Sequence, residues 1–316
     1  MSWFTFSWQN FWYSFLALAF EGLPFVLLGS LLSGFIAAFV PSRTITRLLP
    51  KNRFLAILVS GLLGVLFPIC ECGIVPVVRR LLGKGLPLSC GITFMLASPI
   101  VNPIVALSTF AAFRGQDPWL NLWVRLGFGY FVSVLVGFVL IRVPAETLFR
   151  PSVAAASGLQ RRAFSIAPLP DSVDEGNTKR FARTIAAIQL AGDDFIDTAV
   201  YFMIGAAVAA LFNTAVDQRV IAPLASHRIW SVVALTGLSG ILTLCSTSDA
   251  FIAATFTSFP LFARMAFLVF GPMFDFKLLF LYSVLFRKRF VLLLGVGLFV
   301  VVGVLSASVL PLIYAQ

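Results

Sequence analysis

Four stretches of this chain, residues 22–42, 85–113, 229–248 and 290–316, carry no charged side chain. About 20 apolar residues suffice for a helix to cross the hydrocarbon core of a bilayer. Within lipid only helices and closed barrels satisfy their own backbone, and the ten-residue alternating segments of a barrel are missing here. The chain therefore reads as an all-α polytopic membrane protein. Composition agrees: 59% of the 316 residues are hydrophobic and 11% are charged, against about 25% charged in soluble domains.

Eight hydrophobic segments can be marked, at about 11–40, 54–78, 86–113, 120–141, 184–212, 229–257, 261–286 and 290–313. A polar stretch, 143–183, separates them four and four and reads as a cytoplasmic linker. This gives a first membrane repeat over 1–142 and a second over 184–316. The net charge of +10 comes from a few loops, as the positive-inside rule expects of an inner-membrane protein, so nucleic acid is not an expected partner. The first twenty residues lack Lys and Arg, so no cleavable leader is expected there. Trp3, Trp8, Trp12 and Tyr13 read as an interfacial belt.

The two parts repeat one another. Cys70-Glu71-Cys72-Gly73 is followed by Ser98-Pro99-Ile100-Val101-Asn102. In the second part Cys245-Ser246-Thr247-Ser248-Asp249 is followed by Gly271-Pro272-Met273-Phe274-Asp275. Each part also opens with an acid on a long helix, Glu21 in one and Asp193-Asp194 in the other. Duplication of this kind is common in transporters.

Charge bears on orientation. If all eight segments cross, the alternate loops hold 11 basic residues on each side, counting Arg125 with the loop 114–125 and Arg264 as a loop charge. If 54–78 and 229–257 instead re-enter on the side they left, 17 basic residues fall on the cytoplasmic side against five outside. The second arrangement obeys the positive-inside rule. It gives two inverted repeats, each with three full crossings and one re-entrant segment, and puts both termini outside. Eight plain transmembrane helices are the alternative. Pro68 and Pro76 flank the Cys-Glu-Cys motif as breakers, and broken backbone at membrane depth is tolerated where it is buried or lines a wet cavity.

The chemistry concentrates on the breaks. Glu71 between two thiols in an apolar run must face a polar interior, and thiolates select soft ions. Cys70 and Cys72 are candidate transient metal ligands, too few and too closely spaced for a closed zinc site. Cys245, Ser246, Thr247 and Ser248 offer a thiol and hydroxyls opposite them, and Asn102, beside Pro103, is a further candidate for substrate contact. Asp249, an acid with no adjacent cation in sequence, reads as a proton carrier, together with Glu71 and Asp275. Lys277 reads either as snorkelling to the surface or as pairing with Asp275, although their two-residue spacing does not stack on a helical face. Glu21, Asp193, Asp194 and Asp197 read as helix-end or interfacial acids, Cys90 as packing, and His227 as a solvated loop residue.

Phe67-Pro68-Ile69-Cys70-Glu71-Cys72-Gly73-Ile74-Val75-Pro76, Leu96-Ala97-Ser98-Pro99-Ile100-Val101-Asn102-Pro103, Cys245 to Ala250 and Gly271-Pro272-Met273 together resemble the predicted permease family that includes the ArsP organoarsenical exporters and the YraQ-like proteins. The resemblance spans about residues 11–290. It implies that Cys70 and Cys72 hold a trivalent arsenical or another thiophilic substrate. The expectation is a secondary, proton-coupled exporter, not an enzyme, with no cofactor. Its partners are a small molecule or ion and the lipid bilayer, with room for a homo-oligomer or an accessory membrane protein. No G-x-x-x-x-G-K-[ST] sequence is present, so ATP hydrolysis by this chain is not expected. A membrane thiol-redox protein using Cys70 and Cys72, and a non-transporting scaffold, are the competing readings.

Overall fold

The apolar runs of this chain fold into helices, several of them interrupted in mid-run. The computed structural model describes residues 7–41, 50, 52–66, 69–143, 177–215 and 227–314. Phe67, Pro68 and nearly all of the expected linker lie outside the described residues. The helices in chain order are α1 (Trp8–Phe39), α2 (Arg53–Leu66), α3 (Ile74–Gly83), α4 (Leu88–Ala97), α5 (Pro103–Ala112) and α6 (Pro118–Leu140). The second part begins with α7 (Asn177–Ala215), whose first turns, 177–183, are helical where the sequence reading has linker, and continues with α8 (Arg228–Leu242), α9 (Ser248–Thr255), α10 (Leu261–Met273), α11 (Phe276–Tyr282), α12 (Lys288–Ser308) and α13 (Leu310–Tyr314). Each part thus begins with a long helix, passes through two broken pairs of short helices, and ends with a long helix.

Two of the four breaks are capped by a side chain. Asn102 has extended backbone and its side chain accepts from Ile104 N at 2.9 Å, with Pro103 at the first helical position of α5. Proline suits that position because the first N–H has no helical partner anyway. Asp275 does the same for α11, accepting from Leu278 N at 2.6 Å. Thr243, at the end of α8, has φ 48°.

Five stretches among the described residues are long and apolar enough to cross a membrane: Trp8–Phe39, Pro118–Leu140, Thr184–Phe212, Leu261–Tyr282 and Lys288–Tyr314. The sequence predicts six full crossings; the sixth, 86–113, is divided by the Ser98–Asn102 break into α4 and α5, ten residues each. Outward faces are apolar, with Phe20, Leu31, Phe35, Leu293 and Val300 about half or more exposed, as lipid contact requires. The stretch Leu261–Tyr282 is the most deeply enclosed.

Contacts fix which helix ends lie together. Lys84, just after α3, donates to the carbonyls of Ile36 (2.7 Å), Ala37 (2.8 Å) and Val40. Ala56 of α2, Leu86, Val40 and Phe138 of α6 share a small apolar cluster. The outer ends of α2 and α3 therefore sit with the C-terminal ends of α1 and α6. At the opposite end Arg228 of α8 donates to Ala307 O of α12 at 2.7 and 3.0 Å. There too Arg264 reaches Gln116 at 2.6 Å and Tyr314 reaches Asn121 at 2.8 Å. These are the α3 end and the α9 end of the molecule.

The long helices α1 and α7 pack tightly and run antiparallel: Gly34 meets Ala187 and Ala191, and Gly22 meets Phe202. Gly29 of α1 lies against the backbone of Gly73, where an added Cβ would come within 2.2 Å of Gly73 O. Only the lack of a side chain lets α1 rest directly on the broken backbone beside the Cys-Glu-Cys motif. Gly29→Ala should therefore destabilise by about 1–3 kcal/mol through forced displacement. Gly297→Ala, whose added Cβ meets nothing within 4 Å, should be neutral or stabilising by up to about 1 kcal/mol. Thermal unfolding of both variants in detergent checks the contrast.

Candidate functional site

Breaks from both parts of the chain meet in the interior. Glu71, which is 1% exposed, sits in the turn between α2 and α3. It accepts from Ser246 Oγ at 3.2 Å through one carboxylate oxygen and from Lys277 Nζ at 3.2 Å through the other. Ser246 lies in the turn between α8 and α9, and Lys277 in the first turn of α11. The Cys-Glu-Cys motif and the 245–249 stretch, 175 positions apart, are thus in direct contact.

A cavity of about 10 Å³ opens among Cys70, Glu71, Cys72, Cys245 and Lys277, with Glu21, Phe25 and Phe202 completing its wall. That is room for about one water. All three of these thiols are free. Among the described residues no group of three His, Cys, Asp or Glu side chains is arranged to hold a metal ion.

Lys277 does not snorkel. It is 3% exposed, and its ammonium lies 3.6 Å from Asp275 Oδ2 as well as 3.2 Å from Glu71. The two-residue spacing does not keep Asp275 away because Asp275 is the extended cap before α11, not a helical residue. Its second oxygen, Oδ2, has no hydrogen-bond partner. Lys277 therefore faces two carboxylates at once.

Asp249 also has a cation, contrary to the sequence expectation. Arg125 NH2 lies 2.9 and 3.0 Å from its two oxygens and 2.9 Å from Ser246 O, while NH1 donates to Thr109 Oγ1 at 2.7 Å. Arg125 is no loop residue: it is in the second turn of α6 and fully buried. Arg264 is buried likewise, bonded to Phe259 O at 2.9 Å and to Gln116. Both basic residues drop out of the loop tally, which leaves 17 against three.

The other expected residues sort as follows. Thr247 Oγ1 lies 3.5 Å from Cys245 Sγ, and Ser248 opens α9 with its N–H bonded to Cys245 O at 2.9 Å. Asn102 caps its own half-helix, whereas its counterpart Asp275 faces the cluster. Cys90 is buried in the small apolar cluster at the α3 end, as a packing residue would be. Asp193 and Asp197 are exposed, but Asp194 is 3% exposed and is no interfacial acid. It accepts from Ser33 Oγ at 2.7 Å and from Arg80 Nε at 2.8 Å, with Arg79 at 3.7 Å.

A multi-pass helical membrane protein whose interrupted helices carry paired charges and thiols to one buried centre has the build of a permease. The chain belongs to the family described as predicted permease (ArsP_1), whose profile matches residues 7–311. It is 39% identical to the UPF0718 protein YcgR of Bacillus subtilis (strain 168) over 298 residues, 94% of this chain and 95% of that one. It is 33% identical to a putative two-component membrane permease complex subunit of Streptococcus mutans over 279 residues, 88% of this chain and 87% of the relative. No solved structure matches it.

Removing one partner from a buried ion pair leaves an uncompensated charge and costs about 3–5 kcal/mol. Arg125→Met should therefore sharply lower the melting temperature and yield of the purified protein. Adding Asp249→Leu to it should recover most of the loss. A double variant no more stable than Arg125→Met would mean that Arg125 acts through Thr109 and Ser246 rather than through Asp249.

Proposed function

We propose that the chain is a secondary transporter for a small thiophilic substrate, such as a trivalent organoarsenical or a soft metal ion, and that it exports it. The reading is carried by one observation: Cys70, Cys72 and Cys245 line the same cavity as the Glu71–Lys277 pair. Soft ligands and a charge that can be exchanged are then together at the point where both parts of the chain are broken. The cavity holds about one water, so a larger substrate requires the helices to part. Cys70, Glu71, Cys72, Asn102, Cys245, Ser246, Thr247 and Ser248 are the proposed substrate residues, and sulfur must lose its proton to bind a soft cation.

In the same reading the two parts are inverted repeats, with α2–α3 and α8–α9 re-entrant from opposite faces. The grouping of helix ends at the α3 and α9 ends supports this, as does the antiparallel α1–α7 pair. The basic α3 end is cytoplasmic by the positive-inside rule, which puts the linker 143–183 inside and both termini outside. Glu71, Asp249 and Asp275 are the proposed proton-coupling acids. Asp275 has an oxygen free to be protonated beside Lys277, whereas Asp249 must first leave Arg125. An accessory subunit belongs to the reading as well, supported by the description of the Streptococcus mutans relative as a complex subunit.

The test is flux into everted membrane vesicles, with phenylarsenite and with a soft metal ion as separate probes. Cys70→Ser, Cys72→Ser or Cys245→Ser should weaken apparent affinity by roughly tenfold or more, since even indirect changes at a metal site cost 10–100-fold. Asp275→Asn should abolish uptake driven by a proton gradient while leaving substrate binding in place, and so should Asp249→Asn in the Arg125→Met background, where no buried guanidinium is left unpaired. Unchanged flux of both probes in all three cysteine variants would remove the thiophilic reading. Gradient-driven flux at wild-type rate in both Asn variants would remove these two acids from the proton route.

A further inference from the structure

We propose that Asp194, Arg80 and Ser33 form a latch that holds the transport path shut at the α3 end, and that Glu21 is the matching acid at the α9 end, disengaged in this conformation. The proposal rests on the permease reading and gives a role to residues that reading leaves unused.

The two acids occupy equivalent places. Glu21 and Asp194 are 173 positions apart, as are Asn102 and Asp275, which cap α5 and α11 in the same way, and Pro99 and Pro272. Their surroundings differ completely. Asp194 is buried and bonded to Ser33 of α1 and Arg80 of α3, and Ser33 also donates to Pro76 O of α3 at 3.1 Å. One carboxylate thereby ties α7, α1 and α3 together. Arg79 adds a contact to exposed Asp197 at 3.4 Å, and Lys84 binds the end of α1 beside it. Glu21, in the middle of the 32-residue apolar helix α1, is exposed and lines the cavity.

Helix packing divides in the same way. At the α3 end α1 packs on α3, and α7 packs on α11. If the two parts were in equivalent positions, α7 would pack on α9 and α1 on α5. Neither does so to a comparable extent among the described residues; α5 and α9 pack on each other instead. The α1–α7 pair is thus drawn onto the α3 end and stands away from the α9 end. The wall that α1 gives to the cavity is Leu18 to Phe25, on the α9 side of the Gly29–Gly73 contact. A carboxylate is expensive in lipid, so Glu21 must face water, and the side of the cavity where it stands is the wet one. The conformation is closed at the α3 end and open at the α9 end.

The chemistry at the two ends also sets which state rests. The positions on α9 that correspond to Arg79 and Arg80 are within 252–255, which is Ile-Ala-Ala-Thr. When the α1–α7 pair swings to the α9 end, Glu21 meets at most the Thr255 hydroxyl there, whereas Asp194 has a guanidinium. A carboxylate paired with a guanidinium gains attraction between two opposite charges, which a carboxylate on a hydroxyl lacks, so without substrate the α3 end stays shut.

Amide hydrogen exchange of the full chain in lipid nanodiscs tests this, because it reads opening at each end separately. In Asp194→Asn, exchange should rise several-fold over 76–84 and 187–197 and fall over 12–25 and 250–259. The charge-swapped pair Arg80→Asp with Asp194→Arg should return both ends toward wild type. Ser33→Ala, which removes one hydrogen bond and no charge, should show the same reciprocal shift at smaller amplitude. A rise at the α3 end with no fall at the α9 end, in both Asp194→Asn and Ser33→Ala, would make the cluster a local staple and overturn the latch. The readout is conformational: a transporter without reciprocity keeps its proposed function and loses the latch, and reciprocity without flux does the opposite.

Discussion

Glu71 and Lys277 lie in an interior where neither charge could be left alone. The desolvation cost of one buried ion is several kcal/mol, and each is tolerated because the other stands 3.2 Å away. The pair joins parts of the chain 206 residues apart, and three of the four broken segments gather around it. The α2–α3 turn supplies the carboxylate, the α8–α9 turn supplies Ser246, and the α10–α11 break supplies Asp275 and the ammonium. The second pair, Arg125–Asp249, holds the back of the same α8–α9 turn through Ser246 O. The interior is therefore a short chain of alternating charges in which the thiols fill the gaps.

Charge counting also shows that the centre is not balanced. Two carboxylates, Glu71 and Asp275, share the single ammonium of Lys277. A protein that needed only stability would be served as well or better by apolar residues of similar size. Here an acid is left with incomplete compensation at the meeting point of three breaks, and the proposed proton coupling draws on that imbalance. At two of the breaks a cap keeps the cost low: Asn102 and Asp275 accept from backbone N–H groups that would otherwise be unpaired in the interior.

Much of this was legible in the sequence because lipid leaves the chain few options. Uncharged runs of helical length and the Cys-Glu-Cys motif between prolines pointed to a polytopic helical protein with broken segments. The internal repeat placed 245–249 beside 70–72. The partners of the acids were not legible, since pairing across 124 or 114 positions leaves no local pattern. Arg125 had been counted with a loop because it lies seven residues after Pro118, near the end of a hydrophobic segment. The signal that could have found it is that a cation flanked by apolar residues within a span is functional by default. For Lys277 the sequence offers two readings, and helical spacing argues against the pairing with Asp275 that the structure has, because Asp275 caps the helix from outside.

Making the protein has its own logic, and the Lys84 clasp exposes it. The last carbonyls of α1 are met by an ammonium synthesised 44 residues after the final one of them. Glu71 must wait much longer, for Lys277. While the ribosome is still making the second part, the first part has an acid in its interior with no cation and a helix end that has only just been tied down. Assembly in the membrane therefore has an enforced order. The long helices can enter one by one on their apolar faces, but the broken segments have no settled place until the last third of the chain exists. A fragment ending before α11 would lack the ammonium that compensates Glu71 in the complete chain, so the two parts cannot be expected to settle independently of one another.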